Sequence, residues 1–180
     1  MDSNAELICL IGESGAGKST IARQMESRHR YSQIVTYTTR PMRKGERNGI
    51  DYHFISPQEF ERKRAAGFFA ESAEYNNWSY GTAKEDCREK KIAVVTPRGF
   101  RNLKKNLDIF ITSFYIKVPR RDRLIKLLQT RQDIDECIRR NISDVGQFDG
   151  IEDEVDYVID NENYGRTPED LADLIHYLLR

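Results

Sequence analysis

The sequence predicts an α/β fold, a three-layer sandwich with a central parallel sheet between two layers of helix. Three observations carry that expectation. Short, nearly continuous apolar runs at Leu7-Ile8-Cys9-Leu10-Ile11 and Ile92-Ala93-Val94-Val95 suit strands buried on both faces. Such runs alternate with stretches that repeat their apolar residues at helical spacing, which implies parallel strands joined by crossover helices. Between the first run and the first helix stands Gly12-Glu13-Ser14-Gly15-Ala16-Gly17-Lys18-Ser19, the complete pattern of a phosphate-binding loop in the strand–loop–helix setting it requires.

The loop's glycines let backbone N–H groups turn inward around a phosphate. The Lys18 ammonium reaches for the terminal phosphates, and the Ser19 hydroxyl is the expected ligand of Mg2+. The first helix, near 18–29, adds the dipole of its N-terminus. ATP with Mg2+ is the ligand these residues call for. The glycine spacing differs from that of a dinucleotide-binding turn, and Lys18 follows at once.

The 180 residues support one substantial core with room for a small insertion. Lysine plus arginine equals aspartate plus glutamate, 29 each, so no global field marks nucleic acid or an anionic membrane as the main partner. Cys9 reads as core strand, with Cys87 and Cys137 helical; their spacing matches neither a zinc site nor a disulfide framework. Free thiols suit a cytoplasmic setting, no apolar run reaches the length of a signal or a membrane span, and a monomer or a homodimer is expected.

Along the chain, a strand is expected at Gln33-Ile34-Val35-Thr36. Residues 37–88 then turn polar, rich in turns and strands, and read as a subdomain inserted into a core made of 5–36 and 89–180. Within it Asn48-Gly49 predicts a hairpin turn, with Tyr52-His53-Phe54-Ile55 as the returning strand. Ser56-Pro57-Gln58-Glu59 starts a helix that ends at Gly67. Strands follow at 68–73 and 78–80, then a polar helix over 83–90. After the strand at 91–96 come a helix near 98–105 and a strand from Ile109 toward Val118. A helix near 121–131 is expected to show Leu124, Leu127 and Leu128 on one face, and a second helix covers 134–145. The last strand lies at 155–160, and Thr167-Pro168-Glu169-Asp170 caps the last helix.

The inserted region suggests the second substrate. Arg40 and Arg43, beside Thr36, Thr38 and Thr39 and facing Tyr52, concentrate fork-shaped donors and hydroxyls suited to a phosphate monoester. Glu71, on an otherwise apolar strand, offers a carboxylate to ring N–H and amino groups of a base, with Tyr80 and Thr82 as further pocket residues. Arg131, Arg139 and Arg140 bracket a polar break at about 130–143, a sensible place for a lid that neutralises the migrating phosphoryl group and excludes water. A general base is not required, because an aligned phosphate is itself a competent nucleophile.

With these residues in place the chain closely resembles the guanylate kinase family of P-loop nucleoside monophosphate kinases. The resemblance rests on the run from Gly12 to Thr20, on Thr38-Thr39-Arg40-Pro41-Met42-Arg43-Lys44-Gly45-Glu46, on Asn48-Gly49-Ile50-Asp51-Tyr52-His53-Phe54, on Phe69-Ala70-Glu71, on Tyr80-Gly81-Thr82 and on Asp156-Tyr157-Val158-Ile159-Asp160-Asn161. It implies transfer of the terminal phosphoryl group of ATP to GMP or dGMP. It further implies that Thr36, Arg40, Arg43, Tyr52 and Tyr80 hold the acceptor phosphate, that Glu71 and Thr82 contact guanine, that Lys18, Arg43, Arg131 and Arg140 serve the transfer, and that Asn161 lies near adenine. One position departs from the pattern: Thr96 stands where the family usually carries an acid, and a hydroxyl supplies no negative charge. A kinase with another or a broader acceptor, or a nucleotide-binding scaffold without transfer activity, therefore stays open.

Overall fold

A computed structural model of the chain describes residues 7–75, 77–88, 90–130 and 134–180. Its core is a parallel sheet of five strands: β1 (Leu7–Ile11), β2 (Ser32–Gln33), β7 (Lys91–Val95), β8 (Ile111–Lys117) and β9 (Tyr157–Asp160), in the order β2-β7-β1-β8-β9. β1 is central. Leu7, Cys9 and Ile11 face one layer, with Phe100 and Leu103; Ile8 and Leu10 face the other, with Ile21, Met25 and Ile175. Burial on both faces is why the strand reads as an unbroken apolar run.

Helices close both faces. α1 (Lys18–His29) and α6 (Pro168–Leu178) pack together on one side, and α3 (Pro97–Asn106) lies on the other. The caps at Thr167 and Ser56 are those the sequence announces, and Thr96 adds a third that it does not. Thr167 and Asp170 exchange both bonds of a capping box at the start of α6. Ser56 Oγ accepts the Glu59 N–H at 3.1 Å at the start of α2 (Pro57–Ala65). Thr96 Oγ1 accepts the Gly99 N–H at 3.2 Å at the start of α3.

A second sheet has four strands in the order β4-β3-β6-β5: β3 (Tyr37–Thr38), β4 (His53–Phe54), β5 (Phe69–Tyr75) and β6 (Trp78–Ala83). The expected strand at 33–36 is divided here. The Ile34 N–H makes the last bond to the core sheet, to Ile92 O at 2.8 Å, and the chain then crosses to the second sheet. The expected hairpin does not form, because β4 runs parallel to β3. Asn48-Gly49 does make a turn, with the Gly49 N–H on Tyr52 O at 2.8 Å. Asn48 Oδ1 accepts the Phe54 N–H at 2.9 Å, and the His53 and Ile55 N–H groups donate to Thr36 O and Thr38 O, both at 3.0 Å, which sets the returning chain in the same direction as β3.

The polar helix expected over 83–90 is one 3-10 turn, Lys84–Asp86, and Cys87 lies at its end rather than within a helix. Ala83 and Cys87 are buried at the two ends of the turn, but the charged residues between and after them leave little apolar surface to hold a longer helix against the core. In α4 (Arg120–Thr130), Leu127 is buried but Leu128 is 52% exposed. The inward partner of Leu127, one turn back, is Arg123. α5 (Ile134–Asp144) follows. None of the described helices is long and apolar enough to cross a membrane.

Phe114 is fully buried in the layer under α1 and α6 and stacks on Tyr157 at 4.9 Å. Phe114→Ala is expected to cost about 3–5 kcal/mol of stability, and Thr167→Ala about 1 kcal/mol, both read from urea unfolding midpoints at unchanged m. Equal losses would mean that the cap matters to α6 as much as the core layer does.

Candidate functional site

The loop from Gly12 to Gly17 leaves the carboxyl end of β1 and ends at the first residue of α1. Close approach explains its glycines. A Cβ on Gly12 would sit 2.7 Å from Ile116 O, and one on Gly15 would sit 3.1 Å from Leu127 Cγ and 3.3 Å from Arg123 Cβ. Successive carbonyls of the loop are bonded to side chains. Lys18 Nζ donates to Gly12 O at 2.5 Å and to Glu13 O at 3.1 Å. Arg123 Nη1 donates to Ser14 O at 3.2 Å, and the Tyr164 hydroxyl donates to Gly15 O at 2.8 Å. The N–H groups of Gly15, Gly17, Lys18 and Ser19 make no hydrogen bond to the described residues, while that of Ser14 donates to Asp144 Oδ2 at 2.7 Å.

Enclosure by the loop pushes the Lys18 ammonium down to about 8, although the Asp144 and Glu13 carboxylates favour its charge. Arg123 and Arg140 oppose it, so both lie within electrostatic reach of Lys18. Ser19 and Thr20 are exposed on the first turn of α1, where the Ser19 hydroxyl can meet a metal ion.

The second sheet gathers the residues expected at an acceptor phosphate. Arg40 is 8% exposed, and its guanidinium lies 5.3 Å from the centre of the Tyr52 ring. The Tyr52 and Tyr80 rings meet edge to face at 6.1 Å. Arg40 also carries a partner of its own: Nη2 and Nη1 donate to the two carboxylate oxygens of Glu46 at 2.6 and 3.1 Å. Glu46 Oε2 accepts the Arg43 N–H as well, at 2.7 Å, which ties the backbone of the second arginine to the first. Arg43 itself is exposed, and Thr36 is half-buried on the link into β3, its carbonyl accepting the His53 N–H at 3.0 Å.

Glu71 and Thr82 are cross-strand partners on β5 and β6, both buried, with the Thr82 hydroxyl donating to Glu71 Oε1 at 2.7 Å. Burial pushes the Glu71 carboxyl up, while the Thr82 bond pulls it down. Tyr80 stands two residues before Thr82 on the same strand face, about 7 Å away. A Cβ on Gly99 would lie 3.4 Å from Glu71 Oε2 and 3.5 Å from Thr96 Oγ1. The start of α3 thus borders the Glu71 end of the face, and the hydroxyl of Thr96 there is engaged as a helix cap.

On the donor side, Arg140 lies on α5, and Arg131 is outside the described residues. Asn161 is 4% exposed and closes its own loop: Oδ1 accepts the Arg166 N–H at 2.8 Å, and Nδ2 donates to Arg166 O at 3.3 Å. Its amide is occupied in shaping the segment that carries Tyr164. Beside Glu13 a cavity of about 500 Å³ opens between the end of β8 and α5, bordered by Tyr115, Arg120, Asn141 and Asp144. Asn141 Oδ1 accepts from both Arg120 Nε and Nη2, at 3.0 and 2.7 Å.

Sequence reasoning missed Glu46 as a partner of Arg40, and it missed Arg123, Asp144 and Tyr164 at the loop. Arg123 had a signal: one turn before Leu127, it falls on the buried face of α4. Asp144 and Tyr164 had none, since their contacts lie 130 and 149 residues away in the chain.

The chain matches the guanylate kinase family over residues 4–178. It is 33% identical to the guanylate kinase of Syntrophotalea carbinolica, with 97% of this chain and 87% of that protein covered. It is 36% identical to the guanylate kinase of Trichormus variabilis, with 90% and 85% covered. The crystal structure of guanylate kinase from Anaplasma phagocytophilum superposes with a TM-score of 0.70 at 25% identity, over 99% of this chain and 86% of that one. A phosphate loop at the end of a central parallel strand, a second sheet bearing paired Arg–Glu and Glu–Thr groups, and agreement along nearly the full length place this chain in the guanylate kinase family.

Proposed function

We propose that this protein is a cytoplasmic kinase that transfers the terminal phosphoryl group of ATP to GMP or dGMP. The observation that carries the acceptor assignment is the buried Glu71–Thr82 pair, at 2.7 Å, on the same strand face as Tyr80. A carboxylate and a hydroxyl at one end of a face, and Arg40, Tyr52 and Tyr80 at the other, match a base that offers adjacent N–H groups and a monophosphate. Guanine offers such donors; adenine does not offer the same pair.

In the reaction an oxygen of the acceptor phosphate attacks the terminal phosphorus of ATP. The bond to the bridging oxygen breaks, and that oxygen leaves with ADP. Lys18 and the free loop amides neutralise the donor, Arg40 and Arg43 orient the acceptor, and Arg131 and Arg140 cover the migrating group. The Ser19 hydroxyl fits Mg2+, which is held mostly by substrate phosphates and water in sites of this kind. The ion supplies charge neutralisation across the phosphates; the protein's own part is alignment.

A second reading, a different or broader acceptor, is favoured by one observation. Thr96 caps α3, leaving Glu71 as the carboxylate at that end of the face. A coupled assay across the common ribo- and deoxyribonucleoside monophosphates separates the two. Turnover with GMP and dGMP well above ATP hydrolysis is expected, and turnover only with another acceptor would sink the guanylate reading. Retention of bound ATP with no transfer to any acceptor would mark a scaffold.

Glu71→Gln is expected to lower kcat/KM for guanine acceptors about ten- to a hundredfold while sparing other bases; an equal loss across bases would take base recognition away from Glu71. Lys18→Ala is expected to lower kcat by at least about a hundredfold with the fold intact by circular dichroism. A bound triphosphate favours the Lys18 ammonium, so above the free-enzyme value of about 8 ATP binding draws in a proton, and near pH 7 it does not. Calorimetric titrations in buffers of different ionisation heat measure that uptake, which Lys18→Met is expected to abolish.

A further inference from the structure

Two side chains outside the motif, Arg123 and Asp144, both bond to Ser14 of the phosphate loop. Arg123 is 5% exposed and uses three of its nitrogens. Nε donates to Val118 O at 3.0 Å, Nη1 to Ser14 O at 3.2 Å and Nη2 to Glu13 Oε1 at 3.2 Å. The other Glu13 oxygen accepts the Tyr115 hydroxyl at 3.1 Å. Asp144 is the last residue of α5, and its Oδ2 takes the Ser14 N–H at 2.7 Å while standing 4.0 Å from Arg123 Nη1.

The Ser14 amide therefore meets an anionic oxygen with no nucleotide needed to supply it. A carboxylate oxygen and a phosphate oxygen make the same charge-assisted bond to such a group. Around the loop the cations Lys18, Arg123 and Arg140 face the anions Glu13 and Asp144. A phosphate oxygen directed at the Ser14 amide would meet the Asp144 carboxylate already bonded there, so that carboxylate has to give way. Glu13 is pinned by Arg123 and Tyr115, whereas Asp144 ends a helix that follows the polar break.

We propose that Asp144 is a resident anion that holds the Ser14 amide until a donor phosphate oxygen takes its place, on a loop that Arg123, acting as a positioning residue, keeps in register. The proposal rests on the reading of ATP as donor. Arg123 keeps Glu13 and the Ser14 carbonyl throughout and exchanges a nearby carboxylate for a nearby phosphate. Arg140 lies one helical turn before Asp144 on the same face of α5. Release of Asp144 thus lets the end of α5 and Arg140 move as one, and links filling of the loop to placement of a lid arginine.

The test is equilibrium binding of ATP to the full chain without acceptor, by titration calorimetry, with inorganic tripolyphosphate titrated in parallel. Asp144→Asn keeps the shape and removes the competing charge, and about three- to tenfold tighter binding is expected. Arg123→Gln is expected to bind about tenfold or more weakly, with Arg123→Lys recovering only part because it lacks the fork. The opposite signs are the signature, since two purely structural ties to one loop would both weaken binding when cut. Unchanged or weaker binding by Asp144→Asn overturns the exchange, and unchanged binding by Arg123→Gln overturns the positioning role. Unfolding temperatures without ligand show whether Arg123→Gln folds; if it does not, Arg123→Lys decides that role alone. Wild-type binding of tripolyphosphate but not ATP would sink the donor reading and leave the exchange to be judged on the tripolyphosphate series. Failure of both ligands to bind either the wild type or Asp144→Asn overturns the exchange as well.

Discussion

The phosphate loop depends on where its carbonyls go. A peptide segment can turn its amides to an anion only if the carbonyls on the other side find donors. Here Gly12 and Glu13 give theirs to Lys18, Ser14 to Arg123 and Gly15 to Tyr164. The donors come from α1, from α4 and from the segment after β9. The loop is thus the point at which three separate parts of the chain must agree, and the central strand β1, buried on both faces, is the rigid base from which it starts. Close contact of Gly15 with Leu127 and Arg123 makes α4 part of the loop's wall rather than a distant crossover.

The same economy governs the second sheet. Its functional charges are paired within the protein: Arg40 with Glu46, and Glu71 with the Thr82 hydroxyl. A buried guanidinium or carboxylate without a partner would cost several kcal/mol, so a site that waits for a charged ligand needs internal stand-ins. On the proposed reading, ligands would bind by substitution or sharing. Glu46 can share the Arg40 fork with a phosphate. At the loop, Asp144 occupies the amide that an incoming oxygen would use. Each stand-in lowers the apparent affinity for its ligand and in return keeps the recognition groups aligned.

Periodicity and local chemistry made the core legible. The apolar run of β1, the helix caps at Ser56 and Thr167, and the loop from Gly12 to Ser19 are set by neighbours a few residues away, and each lies as expected. What failed was direction and termination. Asn48-Gly49 does turn the chain, but the direction of β4 is set by its ladder to β3, where the His53 and Ile55 N–H groups donate to the Thr36 and Thr38 carbonyls, 17 residues earlier. The charged stretch after β6 has helix-forming residues and little apolar surface, and it stops after one turn. For the candidate site, Arg40, Tyr52, Tyr80, Glu71 and Thr82 were named from residue type and from the family resemblance, and the second sheet brings them together. Asp144 and Tyr164 could not be named, because their role arises only when α5 and the β9–α6 segment fold back on the loop.

Thr96 shows how fold and specificity can separate at one residue. The start of α3 needs a short oxygen-bearing side chain to take the Gly99 N–H, and threonine and aspartate both meet that need. Aspartate would bring a charge to the border of the Glu71 pocket as well; threonine brings only the cap. Loss of the acid there therefore leaves the helix, the face of β5 and β6 and the Glu71–Thr82 pair in place. On the proposed reading the negative charge that reads the base would fall to Glu71, whose own ionisation is opposed by burial and supported by a single hydroxyl. Acceptor choice, on that reading, would be governed by the balance between burial of one carboxyl group and the hydrogen bonds offered to it, by Thr82 within the protein and by the base from outside.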